Sequence, residues 1–232
     1  MGKTEQWTWK DTAVLFIVPV ELGLGWLLNH SGVSDNKFIV VILSFCIFFA
    51  GFLTAVLMKK EKLKADFKVF KQEKAKNIII AIIGAVVLAL ITISGRALLV
   101  GKASGVGLEA SLSLATMKEM IIPTLLGSII PVLAPFTEEI IFRYELFYRW
   151  RNNRLLLPIM WIVSSVLFGL VHYNNYAGTP IMMVPLMFAG VLTAGLYYWR
   201  KTIWVNIFAH FIYNSVLSLI PALLLILIEI LK

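Results

Sequence analysis

Long, unbroken apolar stretches recur along this chain, at roughly 12–29, 38–58, 78–100, 120–147, 156–173, 181–199 and 202–220, with an apolar stub at 221–231. A helix rises about 1.5 Å per residue, so about 20 such residues cross a hydrocarbon core of about 30 Å. Barrel strands would alternate in polarity, whereas these runs are continuously apolar. The expected fold is therefore all-α: a polytopic transmembrane helical bundle of about seven to eight membrane helices. Only 15% of the residues are charged, against about 25% in ordinary globular proteins.

The formal charge of +8 does not indicate nucleic acid, because the cations gather between apolar runs, as in cytoplasmic loops facing anionic lipid. KKEKLKADFKVFKQEKAKN, residues 59–77, holds eight lysines and three acids. RWRNNR follows at 149–154, and Arg200–Lys201 closes the sixth run. Placing these three clusters inside leaves 30–37, 101–119 and 173–180 outside and the amino terminus cytoplasmic. Trp7, Trp9, Trp150, Trp199 and Trp204 fall near span ends, as amphipathic rings do at an interface. The 59–77 segment reads as a solvated topogenic loop lying on the headgroups. Residues 202–231 lack a polar loop and are broken mainly by Pro221, which suits either one kinked helix or a span plus a short return helix. Cys46 has no partner for a disulfide or a cysteine-based metal site. The first span has no small-residue cleavage pattern behind it and is kept as a membrane helix.

Charged side chains in membrane helices cost roughly 2.5–3.5 kcal/mol each and usually mark function or a buried pair. In APFTEEIIFRYELFYRW, residues 134–150, Glu138 and Glu139 are adjacent and point about 100° apart on a helix, so they serve different purposes. Glu139 and Arg143 are four apart and within ion-pair reach, which leaves Glu138 without a local counter-charge. Glu145 and Arg149 form a second such pair, expected at the interface. The fifth span ends FGLVHYNN, placing Phe168 and His172 on one face, and the seventh contains HFIYN, placing His210 and Asn214 on one face. A lone histidine at a helix end is commonly interfacial, and a His–Asn pair can simply join helices. One convergent polar site accounts for all three groups together. His30, in HSGVSDNK, reads as solvent-exposed.

A glutamate and a histidine facing one water can hold it and remove its proton, and an Asn amide or His N–H can stabilise an oxyanion. These are parts for amide hydrolysis. Two histidines and a glutamate are also a ligand set for a divalent metal such as zinc, although no HExxH helix is present.

Glu138-Glu139-x-x-x-Arg143, Phe168-x-x-x-His172 and His210-x-x-x-Asn214 resemble, in order, the three motifs of the CPBP family, the CAAX proteases and bacteriocin-processing enzymes also known as Abi proteins. The resemblance covers about residues 120–220, with Asn in the last position where Asp also occurs. It implies an intramembrane endopeptidase acting on a membrane-associated peptide or protein; the family is described both as metalloproteases and as metal-independent glutamate proteases, and the glutamate type, with no cofactor, is the one favoured over a zinc site. Glu138 and His172 would activate water, Glu139 and Arg143 would support the site with Phe168 beside it, and His210 and Asn214 would form the oxyanion hole. Residues 1–119 would then be amino-terminal membrane helices and 120–232 the catalytic core, in a bacterial plasma membrane. Two other functions fit the same residues: a non-enzymatic bacteriocin-immunity or scaffold protein that binds a peptide, and a proton-coupled transporter, the latter without the internal repeat that transporters often show. The single-site expectation carries a geometric condition. At about 1.5 Å per residue, Glu138 lies about 16 Å from Arg149, His210 about 13 Å from Lys201, and His172 about 20–25 Å from the start of its helix. Convergence requires tilt, kinking at Pro123, Pro131 or Pro135, or an irregular helix end.

Overall fold

The computed structural model describes residues 6–100, 121–176 and 178–231. Among them seven helical runs are long and apolar enough to cross a membrane: Trp9–Asn29, Lys37–Met58, Lys74–Leu99, Ile121–Trp150, Leu156–Asn175, Pro180–Arg200 and Ile203–Ile228. The described chain contains helices and no strand, and it is a polytopic helical bundle. The α-helices are α1 (Trp9–Leu15), α2 (Ile17–Asn29), α3 (Lys37–Met58), α4 (Lys60–Gln72), α5 (Lys74–Ala89), α6 (Gly95–Val100), α7 (Ile121–Glu138), α8 (Leu156–Leu170), α9 (Val184–Arg200), α10 (Ile203–Asn214) and α11 (Ile220–Ile230). Three π-helical segments interrupt these runs, at Leu90–Ser94, Glu139–Glu145 and Ser215–Leu219. The expected loop 101–119 lies outside the described residues.

The main contacts pair α3 with α7, α5 with α10, α8 with α9, and α2 with α3. Helices in hydrocarbon gain little from apolar burial alone and instead associate through close packing of small residues. Gly190 of α9 shows this, since a Cβ there would stand 2.8 Å from Ser165 Cα of α8. Large apolar side chains such as Leu57, Ile79, Ile83, Ile162 and Phe188 are exposed on the outside of the bundle, where lipid is their natural solvent.

The 59–77 segment is not a loop. It folds as α4 and the start of α5 because Leu63, Asp66 and Phe70 recur at helical spacing and are all buried. Lys60, Lys64, Lys68 and Lys71 occupy the exposed face. α4 is fastened to the start of α10. Asp66 accepts hydrogen bonds from Tyr197 Oη at 2.9 Å and from Ile203 N at 3.0 Å, and its carbonyl accepts from Thr202 Oγ1 at 2.8 Å. Asp66 also pairs with Lys62 at 3.0 Å. A carboxylate among the first free N–H groups of a helix is stabilised by both hydrogen bonding and the helix dipole.

The pair formed by Glu145 and Arg149 is present, at 2.5 Å, near the end of the run Ile121–Trp150, and its side chains are buried within the protein. Arg149 also meets Asp11 at 2.8 Å, and Lys59 pairs with both Asp11 and Glu145. α1 folds over this end of α7's run and closes the four charges from solvent. Residues 202–231 resolve into one continuous run rather than a span and a return helix. The π segment absorbs the hydrogen-bond register change ahead of Pro221, which has no N–H to donate. His30 is exposed and stacks on Trp26.

Candidate active site

Pro135 cannot donate to the carbonyl of residue 131, so that carbonyl is free for another partner. Asn214 Nδ2 supplies it at 2.6 Å, and Ser218 Oγ bonds Ser128 O at 3.0 Å. The two prolines leave α7 helical through Glu138 while letting the last span attach to its backbone. Beyond Glu138 the chain widens into the π segment, shown by Leu146 N bonding Ile141 O at 3.0 Å across five residues. π segments inside α-helices are frequent at functional sites.

The two glutamates face different surroundings. Glu139 and Arg143 are fully buried and pair at 3.3 Å. Glu139 also accepts from His210 Nδ1 at 3.0 Å and from Asn206 Nδ2 at 3.3 Å. The Arg143 guanidinium lies 4.3 Å over the Phe168 ring and donates to Ser164 Oγ at 3.4 Å. Glu138 instead opens into a cavity of about 420 Å³ that also reaches His172, His210 and Asn214. Its carboxylate stands 3.9 Å from His172 Nε2 and 3.8 Å from His210 Nε2. Both separations exceed a direct hydrogen bond and fit a bridging water.

The irregular helix end meets the geometric condition for one site. α8 stops at Leu170, and His172 sits in the turn beyond it. His172 Nδ1 lies 2.8 Å from Phe168 O. A carbonyl only accepts, so Nδ1 carries the hydrogen and Nε2 of the neutral ring is an acceptor facing Glu138. Phe168 is a shared wall, with its ring 5.1 Å from that of His172 and 5.8 Å from that of His210. All seven residues of the three motifs are thus in one place.

Three cavity or support residues have no counterpart in the sequence reading. Asn206 bonds both Glu139 and Thr193 O, and its spacing in Asn206-x-x-x-His210-x-x-x-Asn214 was a signal available in the sequence. Tyr213, hydrogen-bonded to Thr92 at 2.7 Å, brings α5's run to the cavity wall. Glu21 of α2 also lines the cavity and is a carboxyl group in the middle of an otherwise apolar helix. Among the described residues no three His, Cys, Asp or Glu side chains are gathered as ligands for one metal ion.

No curated protein and no solved structure matches this chain. Residues 119–216 match the family described as type II CAAX prenyl endopeptidase Rce1-like, and this stretch holds Glu138, Glu139, Arg143, Phe168, His172, His210 and Asn214. At family level the match supports a CAAX-type intramembrane endopeptidase. Over residues 119–216 the chain is thus similar to the Rce1-like type II CAAX prenyl endopeptidases.

Proposed function

We propose that this protein is a glutamate-type intramembrane endopeptidase with 120–232 as its catalytic core and 1–119 as the helices that wall it. The observation that carries this reading is Glu138 standing between two imidazole Nε2 atoms, at 3.9 and 3.8 Å, on a cavity inside the bundle. A water between Glu138 and His172 donates one hydrogen to each acceptor and turns a lone pair toward the substrate carbonyl. As the O–C bond forms, Glu138 takes the proton, and it returns that proton to the amine nitrogen when the C–N bond breaks. His210, in its imidazolium form, holds Glu139 through Nδ1–H and offers Nε2–H to the oxyanion. The second amide hydrogen of Asn214 joins it. Glu139, Arg143 and Asn206 fix the ring of His210, and Phe168 fixes both imidazoles.

The substrate is a membrane-associated peptide or protein. CAAX-type trimming of a prenylated carboxy terminus and the processing of a bacteriocin or signal-peptide leader are the two forms that the family resemblance suggests. The site would act in a bacterial plasma membrane, with the amino terminus cytoplasmic. Purified protein in liposomes is incubated with a prenylated CAAX peptide and with a leader peptide, with and without chelator, and the products are sequenced. Cleavage that survives chelator and disappears in Glu138→Gln and His172→Ala is expected. Full cleavage by Glu138→Gln overturns the mechanism, and inhibition by chelator reversed by zinc makes the protein a metalloprotease.

A further inference from the structure

Glu21 lies outside the matched segment and outside all three motifs, yet it too is buried. The residue is 7% exposed, and its Oε1 is buried without a hydrogen-bond partner. It rests on Gly51 of α3, where any Cβ would collide with Oε1, so a glycine makes room for this carboxyl. Besides the main cavity, Glu21 and Glu138 line a second one of about 20 Å³, with Phe48, Ala134 and Thr137. That volume suits one water, and the two carboxyls give it polar partners. Glu138 Oε2 is likewise buried without a hydrogen-bond partner.

The charges around the two groups differ. Asp11, Asp66, Glu139 and Glu145, the other buried acids among the described residues, each meet a lysine or an arginine. Glu138 faces His172 and His210, with the Arg143 charge nearby. Glu21 faces Glu138 across this small cavity, with Phe48 of α3 and Ala134 and Thr137 of α7 around it and no lysine or arginine among the lining residues. Two carboxylates sharing a desolvated site cannot both ionise. Only Glu138 of the two has imidazoles beside it, at 3.9 and 3.8 Å.

We infer that Glu21 is a positioning residue for Glu138: the two form a carboxyl pair holding a single proton, which resides on Glu21 and is donated through one water to Glu138 Oε2. The hydrogen bond keeps Glu138 ionised and turned toward the histidines without entering the bond-breaking steps. This role rests on the peptidase reading for its kinetic effect, whereas the proton itself is visible without turnover.

The test compares Glu21→Gln, Glu21→Leu and Glu138→Gln with the wild type. Gln donates the same hydrogen bond at every pH, so Glu21→Gln is expected to keep kcat near neutral pH and to hold it at alkaline pH, where the wild type loses the Glu21 proton and slows. Glu21→Leu is expected to lower kcat about 10- to 100-fold, the worth of a hydrogen bond to a charged group, with KM unchanged. Infrared spectra of the same proteins are expected to show a protonated-carboxyl stretch in wild type and Glu138→Gln that is missing in Glu21→Gln. Wild-type kcat in Glu21→Leu, equal impairment of Glu21→Gln and Glu21→Leu, survival of the band in Glu21→Gln or its loss in Glu138→Gln each overturns the pair. If the wild type cleaves neither peptide, the peptidase reading falls and the infrared comparison alone decides the pair.

Discussion

Asn214 bonds the carbonyl of Pro131 because Pro135, four residues further on, has no N–H to give it. A gap in one helix's own ladder is thus filled by a side chain from another, and the oxyanion candidate is oriented by the backbone of the helix that carries Glu138. Replacing Asn214 by Leu leaves that carbonyl unpaired, at about 1–3 kcal/mol. In a Pro135→Ala background the alanine N–H can take the carbonyl. The cost of Asn214→Leu is then expected to shrink by about 1 kcal/mol, measured by a double-mutant cycle of unfolding in detergent. Equal costs in both backgrounds would show that Pro135 and Asn214 are not coupled.

Glu138 and Glu139 are expected to fail differently. Glu138→Gln removes a base from a cavity and should lower cleavage by at least about 10²-fold while the protein melts as wild type does. Glu139→Gln or Arg143→Ala leaves a buried partner uncompensated. Each should destabilise by about 3–5 kcal/mol, so the loss of activity follows the loss of folded protein. Melting curves recorded beside activity separate the two. A normal melt for Arg143→Ala would contradict the buried pair.

Lys59 joins Asp11 of the first membrane run to Glu145 of the fourth. Lys59→Met leaves Arg149 alone to balance two buried carboxylates. A loss of about 3–5 kcal/mol is expected, with kcat per folded molecule unchanged, read from unfolding and active-site-normalised rates.

Asp66→Ala removes the acceptor for Ile203 N and Tyr197 Oη, each worth about 1–3 kcal/mol when left unmet. Lys68→Glu on the opposite face of α4 should stay within about 0.5 kcal/mol in detergent. Equal stability of the two variants would mean that α4 does not cap α10.

The bundle and its spans were legible because hydrocarbon imposes one simple rule on length and polarity. The i,i+4 spacings of Glu139–Arg143 and His210–Asn214 likewise exposed the site, since groups so expensive in lipid rarely sit there idle. α4 was obscured because eight lysines dominate its composition, while the decisive Leu63, Asp66 and Phe70 are few. The burial of Glu145 and Arg149 depended on Asp11 and Lys59, which are distant in sequence. Glu21 was hidden for a different reason: it has no charged or polar neighbour at helical spacing, and its importance comes from Gly51 and Glu138 on other helices.

The cavity wall draws on α2, α3 and α5 as well as on α7 to α10, which has a consequence for synthesis. Chains are made from the amino terminus, so the wall enters the bilayer before the residues it will enclose. Glu138 and His172 emerge next, and the pocket is still missing one side. His210 and Asn214 arrive with the last span, fastened by Asp66 on a helix already in place. The proposed site is therefore incomplete until the final membrane helix docks, and Glu138 never meets its full set of partners outside a finished bundle.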